Sequence, residues 1–154
     1  MSNSQNLNFV SHNLYIGDYL SSINLSTLLQ YNITHILVCG KELSCKFPDS
    51  INYKYLEIED VTTYPIKDHF EEAYLFILRG TRKGRVLVHC AQAISRSATI
   101  VICFLMKSQK IRFQKAFDLL KKRHPQACPN SGFRKQLEEY EKEIGVGGCI
   151  SGIF

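Results

Sequence analysis

Seven consecutive residues carry the most legible chemistry in this chain: Cys90-Ala91-Gln92-Ala93-Ile94-Ser95-Arg96. They are entered through the apolar run Val86-Leu87-Val88-His89 and left through Ser97-Ala98-Thr99-Ile100, the start of an almost wholly apolar stretch. A strand, a short loop and a helix start in that order suit the capture of a phosphate dianion. N–H groups of the loop and of the first helical turn would converge on the anion, with the helix dipole behind them. Arg96 would close the ring with a planar, two-pronged contact that a lysine does not reproduce. A free cysteine thiol, with a pKa of about 8.5, is only a few per cent ionised at neutral pH. Cys90, at the focus of that positive potential, is expected to ionise more readily, and a thiolate facing bound phosphorus is a nucleophile in place.

The stretch from His89-Cys90 to Arg96-Ser97 resembles the signature of the cysteine-dependent protein phosphatases. The surrounding chain is similar to a small, atypical dual-specificity phosphatase over residues 7–143. Asn13-Leu14-Tyr15-Ile16-Gly17 resembles the family's opening strand, and Ile33-Thr34-His35-Ile36-Leu37-Val38 its second. Asp60 precedes Phe70-Glu71-Glu72-Ala73 by the interval at which these enzymes carry a general acid, and Pro129-Asn130-Ser131-Gly132-Phe133-Arg134 resembles the start of their last helix.

The resemblance implies a metal-independent hydrolase with no cofactor, acting on phosphotyrosine and on phosphoserine or phosphothreonine through a cysteinyl-phosphate. In that reading Cys90 attacks phosphorus and Arg96 binds the equatorial oxygens. Ser97 meets the leaving thiolate or simply caps the helix, and residues 91–96 form the phosphate-binding loop. His89 orients the loop or is only a satisfied core histidine; Asn130 braces the loop or only caps its helix. Asp60 is the expected acid, with Glu57, Glu59 and Asp68 as competitors by position. Tyrosine-specific relatives are longer, with extra loops that deepen the pocket, so a chain of 154 residues implies a shallower site.

One departure stands out. Family members nearly always have glycine where Ala93 stands. A loop that turns successive N–H groups toward one centre must reverse somewhere, and glycine there signals a left-handed residue. If Ala93 takes that conformation it costs about 1–2 kcal/mol; if it sits at negative φ there is no strain. That departure supports a catalytically weak phospho-binding module as one alternative to a competent protein phosphatase; a separate alternative is a lipid or RNA phosphatase of the same superfamily. Inositol-lipid enzymes usually carry lysine inside the loop, and residues 91–95 contain none.

With 45% hydrophobic and 21% charged residues, the chain reads as one globular domain able to bury a core unaided. Residues 1–6 read as a disordered polar arm, 7–144 as the catalytic domain and 145–154 as a flexible glycine-rich tail. No signal peptide or membrane span is visible, which gives a cytoplasmic or nuclear expectation. The six cysteines lack zinc-ligand spacing; apart from Cys90 they read as reduced, partly buried thiols. The net charge of +5 gathers at Arg79, Arg82, Lys83, Arg85 and at Lys121-Lys122-Arg123. Those groups read as a solvated turn and a helix end, not a nucleic-acid stripe, so the expected partners are phosphoproteins, with oligomeric state open.

Hydrophobic periodicity supplies the elements that must hold these groups. Strands are expected at 14–16, 35–39, 53–58 and 86–89, and helices at 22–30, 65–79, 97–106, 111–123 and 130–143, with Gly80 as a helix stop. Strands alternating with helices give an α/β fold, a mainly parallel twisted sheet of four to five strands with helices on both faces. Cys90 then lies at the carboxyl edge of the sheet, where such folds bind ligands.

Overall fold

The computed structural model describes residues 7–146. The expected terminal arm of residues 1–6 and most of the glycine-rich tail lie outside the described residues. Five strands, β1 (Leu7–Ser11), β2 (Leu14–Gly17), β3 (His35–Cys39), β4 (Asn52–Leu56) and β5 (Val86–His89), form one sheet in the order β1-β2-β5-β3-β4. β5 pairs in parallel with both β2 and β3, and β4 pairs in parallel with β3; only β1 runs antiparallel to its neighbour. The chain therefore leaves the central strand at the carboxyl edge, directly into the loop that begins with Cys90.

Side chains alternate across the sheet, and the two faces have separate cores. Leu14, Ile16, Leu37, Cys39, Val86 and Val88 point into the larger core, beneath α3 (Phe70–Lys83), α4 (Arg96–Gln109), α5 (Phe113–Arg123) and α6 (Ser131–Ile144). Tyr15, Ile36, Val38 and Leu87 point the other way, against Leu28 of α2 (Leu25–Gln30) and the loop residues Ile33 and Ile51. α4 is buried without interruption from Arg96 to Met106; the run from Ile100 to Met106 is wholly apolar, and the buried polar groups Arg96, Ser97 and Thr99 lie at its start, beside the loop.

Several expected boundaries change. The strand at 14–16 is the second, not the opening one; β1 precedes it on the sheet edge. The helix expected at 22–30 is two short helices, α1 (Tyr19–Ser22) and α2, because Asn24 caps a fresh start by accepting from Thr27 N. The segment expected as a helix from residue 65 begins as a 3-10 turn (Ile66–His69), then runs as α3 past Gly80 to Lys83. Gly80 is not a stop. It sits inside the helix where a Cβ would lie 2.5 Å from Val86 Cγ2, so its smallness allows close packing on the sheet. The helix starting at 97 begins at Arg96 and continues to Gln109. Cys128 is exposed rather than partly buried.

Candidate active site

The loop between β5 and α4 turns its carbonyls into the protein, and each needs a donor because buried carbonyls are costly to leave unmet. Ala91 O accepts from Tyr19 N at 3.1 Å and Ile94 O from Cys128 N at 2.7 Å. Ser95 O accepts from Thr99 N at 2.9 Å and from Thr99 Oγ1 at 2.7 Å. Ala93 O accepts from the ring of His124 at 2.6 Å. By contrast, the N–H groups of residues 91–95 have no acceptor among the described residues. Ala93 sits at φ 59, the left-handed region, so the loop does reverse at the residue where the family carries glycine.

Cys90 is 3% exposed, and its Sγ lies 3.1 Å from Ser97 Oγ. Ser97 is not the helix cap. Ser95 occupies that position, and Ser97 is buried in the first turn with its hydroxyl turned to sulfur. Arg96, the first residue of α4, is buried rather than a surface cation. Its Nη1 donates to Glu42 Oε1 at 2.7 Å, Glu42 Oε2 at 3.0 Å and Ile58 O at 3.2 Å. Its Nε is buried with no protein partner, so one edge of the guanidinium is held while Nε stays free for an oxyanion. Nothing in the sequence marks Glu42, which lies in a long connection between strands.

Asp60, Cys90, Ala91, Gln92, Ile94, Ser95 and Arg96 line one cavity of about 310 Å³. Among the competing carboxylates, Glu59 lies in the adjoining groove paired with Lys41 at 3.3 Å, while Glu57 and Asp68 line neither space. Asn130 joins the acid loop to the phosphate loop. Its Oδ1 caps α6 by accepting from Phe133 N at 2.8 Å, its N donates to Ser95 Oγ at 2.9 Å, and its Nδ2 donates to Asp60 Oδ1 at 3.0 Å. Capping and bracing are therefore done by the same residue. His89 is fully buried behind the loop; burial pushes its pKa down to about 4, so it is neutral at physiological pH. Its Nδ1 lies 3.3 Å from Cys90 O.

A thiol, an arginine and a carboxylate converge on a loop at the centre of a parallel sheet, which is the arrangement of the cysteine-dependent phosphatases. Residues 14–143 match the family described as dual specificity phosphatase, catalytic domain, and the chain belongs to that family. It is similar to dual specificity protein phosphatase 1B of Arabidopsis thaliana, 38% identical over 141 residues that cover 91% of this chain and 84% of the relative. MAP kinase phosphatase with leucine-rich repeats protein 2 of Dictyostelium discoideum is 40% identical over 131 residues, 85% of this chain but only 19% of that protein. The fold is shared with human DUSP28, at a TM-score of 0.86 and 23% identity, covering 91% of this chain and 95% of that one. The protein is a protein-tyrosine/serine/threonine phosphatase.

Proposed function

We propose that this enzyme hydrolyses phosphotyrosine and phosphoserine or phosphothreonine in proteins through a cysteinyl-phosphate on Cys90. Cys90 Sγ attacks phosphorus as the P–O bond to the substrate oxygen breaks, and Asp60 gives that oxygen its proton. Arg96 Nε and the loop N–H groups meet the charge on the equatorial oxygens. In the second step water attacks the phosphocysteine and passes a proton to Asp60. The departing thiolate is stabilised by the Ser97 hydroxyl. The carrying observation is that Cys90, whose Sγ lies 3.1 Å from Ser97 Oγ, lines one cavity with Asp60 and Arg96. Ile94, which lines the cavity and is 36% exposed, supports a shallow site that short phosphoserine and phosphothreonine side chains would reach as well as the longer phosphotyrosine.

The test is hydrolysis of an aryl phosphate in chelator, then of matched phosphotyrosine and phosphothreonine peptides, by wild type and Cys90→Ser. Chelator-resistant turnover on both peptides, abolished in the variant, is expected. A serine hydroxyl does not ionise near neutrality, so only the nucleophile is lost. More than a trace of turnover in Cys90→Ser refutes the nucleophile. A second reading, a weak phospho-binding module, draws on the strained Ala93. Tight phosphopeptide binding with no turnover would favour it.

A further inference from the structure

We propose that His124 is a positioning residue of the phosphate loop, holding Ala93 in its left-handed conformation from behind. The inference rests on the catalytic reading above and adds a residue to it that contacts no substrate. His124 is fully buried, in the connection between α5 and α6, outside the Cys-x5-Arg signature. Its ring bridges two distant parts of the chain. Nε2 faces Ala93 O at 2.6 Å, and Nδ1 faces Asn8 Nδ2, on β1, at 2.7 Å. A carbonyl only accepts, so Nε2 carries the proton. Nδ1 is then the acceptor for the Asn8 amide, and the neutral ring is satisfied at both nitrogens. Burial also lowers the pKa of His124, in keeping with that neutral form.

The bridge is placed where the loop most needs it. Ala91 O, Ile94 O and Ser95 O are received by backbone N–H groups of Tyr19, Cys128 and Thr99, and Cys90 O lies beside the adjacent His89, whereas Ala93 O is met by a side chain from 31 residues away. Ala93 is also the one loop residue with positive φ. An alanine at that position favours relaxation toward negative φ, which would rotate the 93–94 peptide and turn its N–H away from the anion. A donor fixed on Ala93 O opposes that rotation. Asn8 anchors the donor to the sheet edge, so the carbonyl is held by the fold and not by the loop alone.

The experiment measures orthovanadate affinity by calorimetry, with kcat and KM on an aryl phosphate, in otherwise full-length protein. His124→Leu removes the donor. It is expected to weaken orthovanadate about tenfold, equivalent to about 1.4 kcal/mol, and to lower kcat more than it raises KM. His124→Gln, whose amide can donate to the same carbonyl, is expected to recover to within about threefold. Ile77→Ala on α3, away from the loop, supplies a comparable loss of melting temperature and should leave orthovanadate affinity unchanged. In an Ala93→Gly background, where the left-handed conformation carries no Cβ penalty, the His124→Leu loss should shrink below about threefold. If His124→Leu does not fold, Asn8→Ala gives the same reading, with a smaller, roughly threefold, expected loss. Unchanged orthovanadate affinity despite a lower melting temperature overturns the proposal. So does an undiminished loss in the Ala93→Gly background. Failure of the wild type to bind orthovanadate at all overturns the catalytic reading and the brace together.

Discussion

Gly132→Ala tests how the acid loop is seated. Gly132 is the second residue of α6, two after the Asn130 cap, and a Cβ built there would lie 1.9 Å from Thr62 O and 2.6 Å from Thr62 C. Contacts below 3.0 Å are not sustained, so the loop or the helix start must move by at least about 1.1 Å. The loop has little freedom to absorb this locally. Tyr64 OH donates to Glu57 O at 3.0 Å, Gln136 Nε2 donates to Tyr64 O at 2.9 Å, and Val61 N donates to Glu59 O at 3.0 Å. Displacement at Thr62 therefore reaches Asp60, two residues upstream, and the Asn130–Asp60 hydrogen bond at 3.0 Å. Alanine would by itself favour the helix by up to about 1 kcal/mol, so overall stability should change little. A shift of about 1 Å in a reacting group costs about a hundredfold. The expected outcome is a loss of about 10–100-fold in kcat on a phosphothreonine peptide, whose alkoxide needs the proton, and of under about threefold on para-nitrophenyl phosphate, whose leaving group hardly does. Asp60→Ala should show the same leaving-group dependence, with a larger loss of about 10²–10⁴ on the peptide. Equal kcat values for Gly132→Ala and wild type on both substrates would refute the seating argument; equal losses on both would show that the change reaches the thiol and not the acid.

Ala93→Gly removes the Cβ penalty at φ 59 but adds unfolded-chain entropy, so we expect a net gain of up to about 1 kcal/mol in urea unfolding, or up to tenfold in kcat/KM. Glu42→Gln keeps an acceptor for Arg96 Nη1 but removes the charge; because Glu42 is half exposed, a modest fall of about three- to tenfold in kcat/KM is expected, read against an unchanged melting temperature. His89 is held at a pKa of about 4 by burial, and His124 is lowered for the same reason. The unfolded chain therefore binds protons first as pH falls, so both contributions are fully present above about pH 6.5 and decline below it, that of His89 being lost toward pH 4. Urea midpoints at pH 7.5, 5.5 and 4.5 should fall progressively, with His89 alone contributing on the order of 3 kcal/mol across its full range.

β3 and β5 matched their expected bounds because each is a short, mostly apolar run buried on both faces of the sheet. β1 escaped because its five residues lie on the sheet edge, pair antiparallel and shift register between Phe9 and Ser11. No repeated alternation marks such a strand. Gly80 misled because glycine ends helices by conformation but also permits close approach, and only the position of Val86 decides between the two. At the site, Cys90, Arg96, Ser97 and Asp60 were legible through the Cys-x5-Arg pattern and the family resemblance, and the fold brings them together, with Cys90, Arg96 and Asp60 lining one cavity and Ser97 against the thiol. Asn130 was legible as a cap, but its bond to Asp60 spans 70 residues and belongs to the tertiary fold.

What stayed hidden has a common physical origin. An anion-binding loop must turn its N–H groups inward, so its carbonyls face the protein and need donors from elsewhere. Any donor can meet them, whether a backbone N–H at Tyr19 or Cys128 or an imidazole at His124. Residue type is therefore loosely constrained and position in the sequence is not constrained at all. The same holds for Glu42, which needs only to reach Arg96 Nη1 from the outer side and leave Nε free. Groups that touch the ligand have their identity fixed by the reaction. Groups that hold them have only their location fixed, by packing of α4, α5 and the sheet edge, so it takes the folded chain to find them.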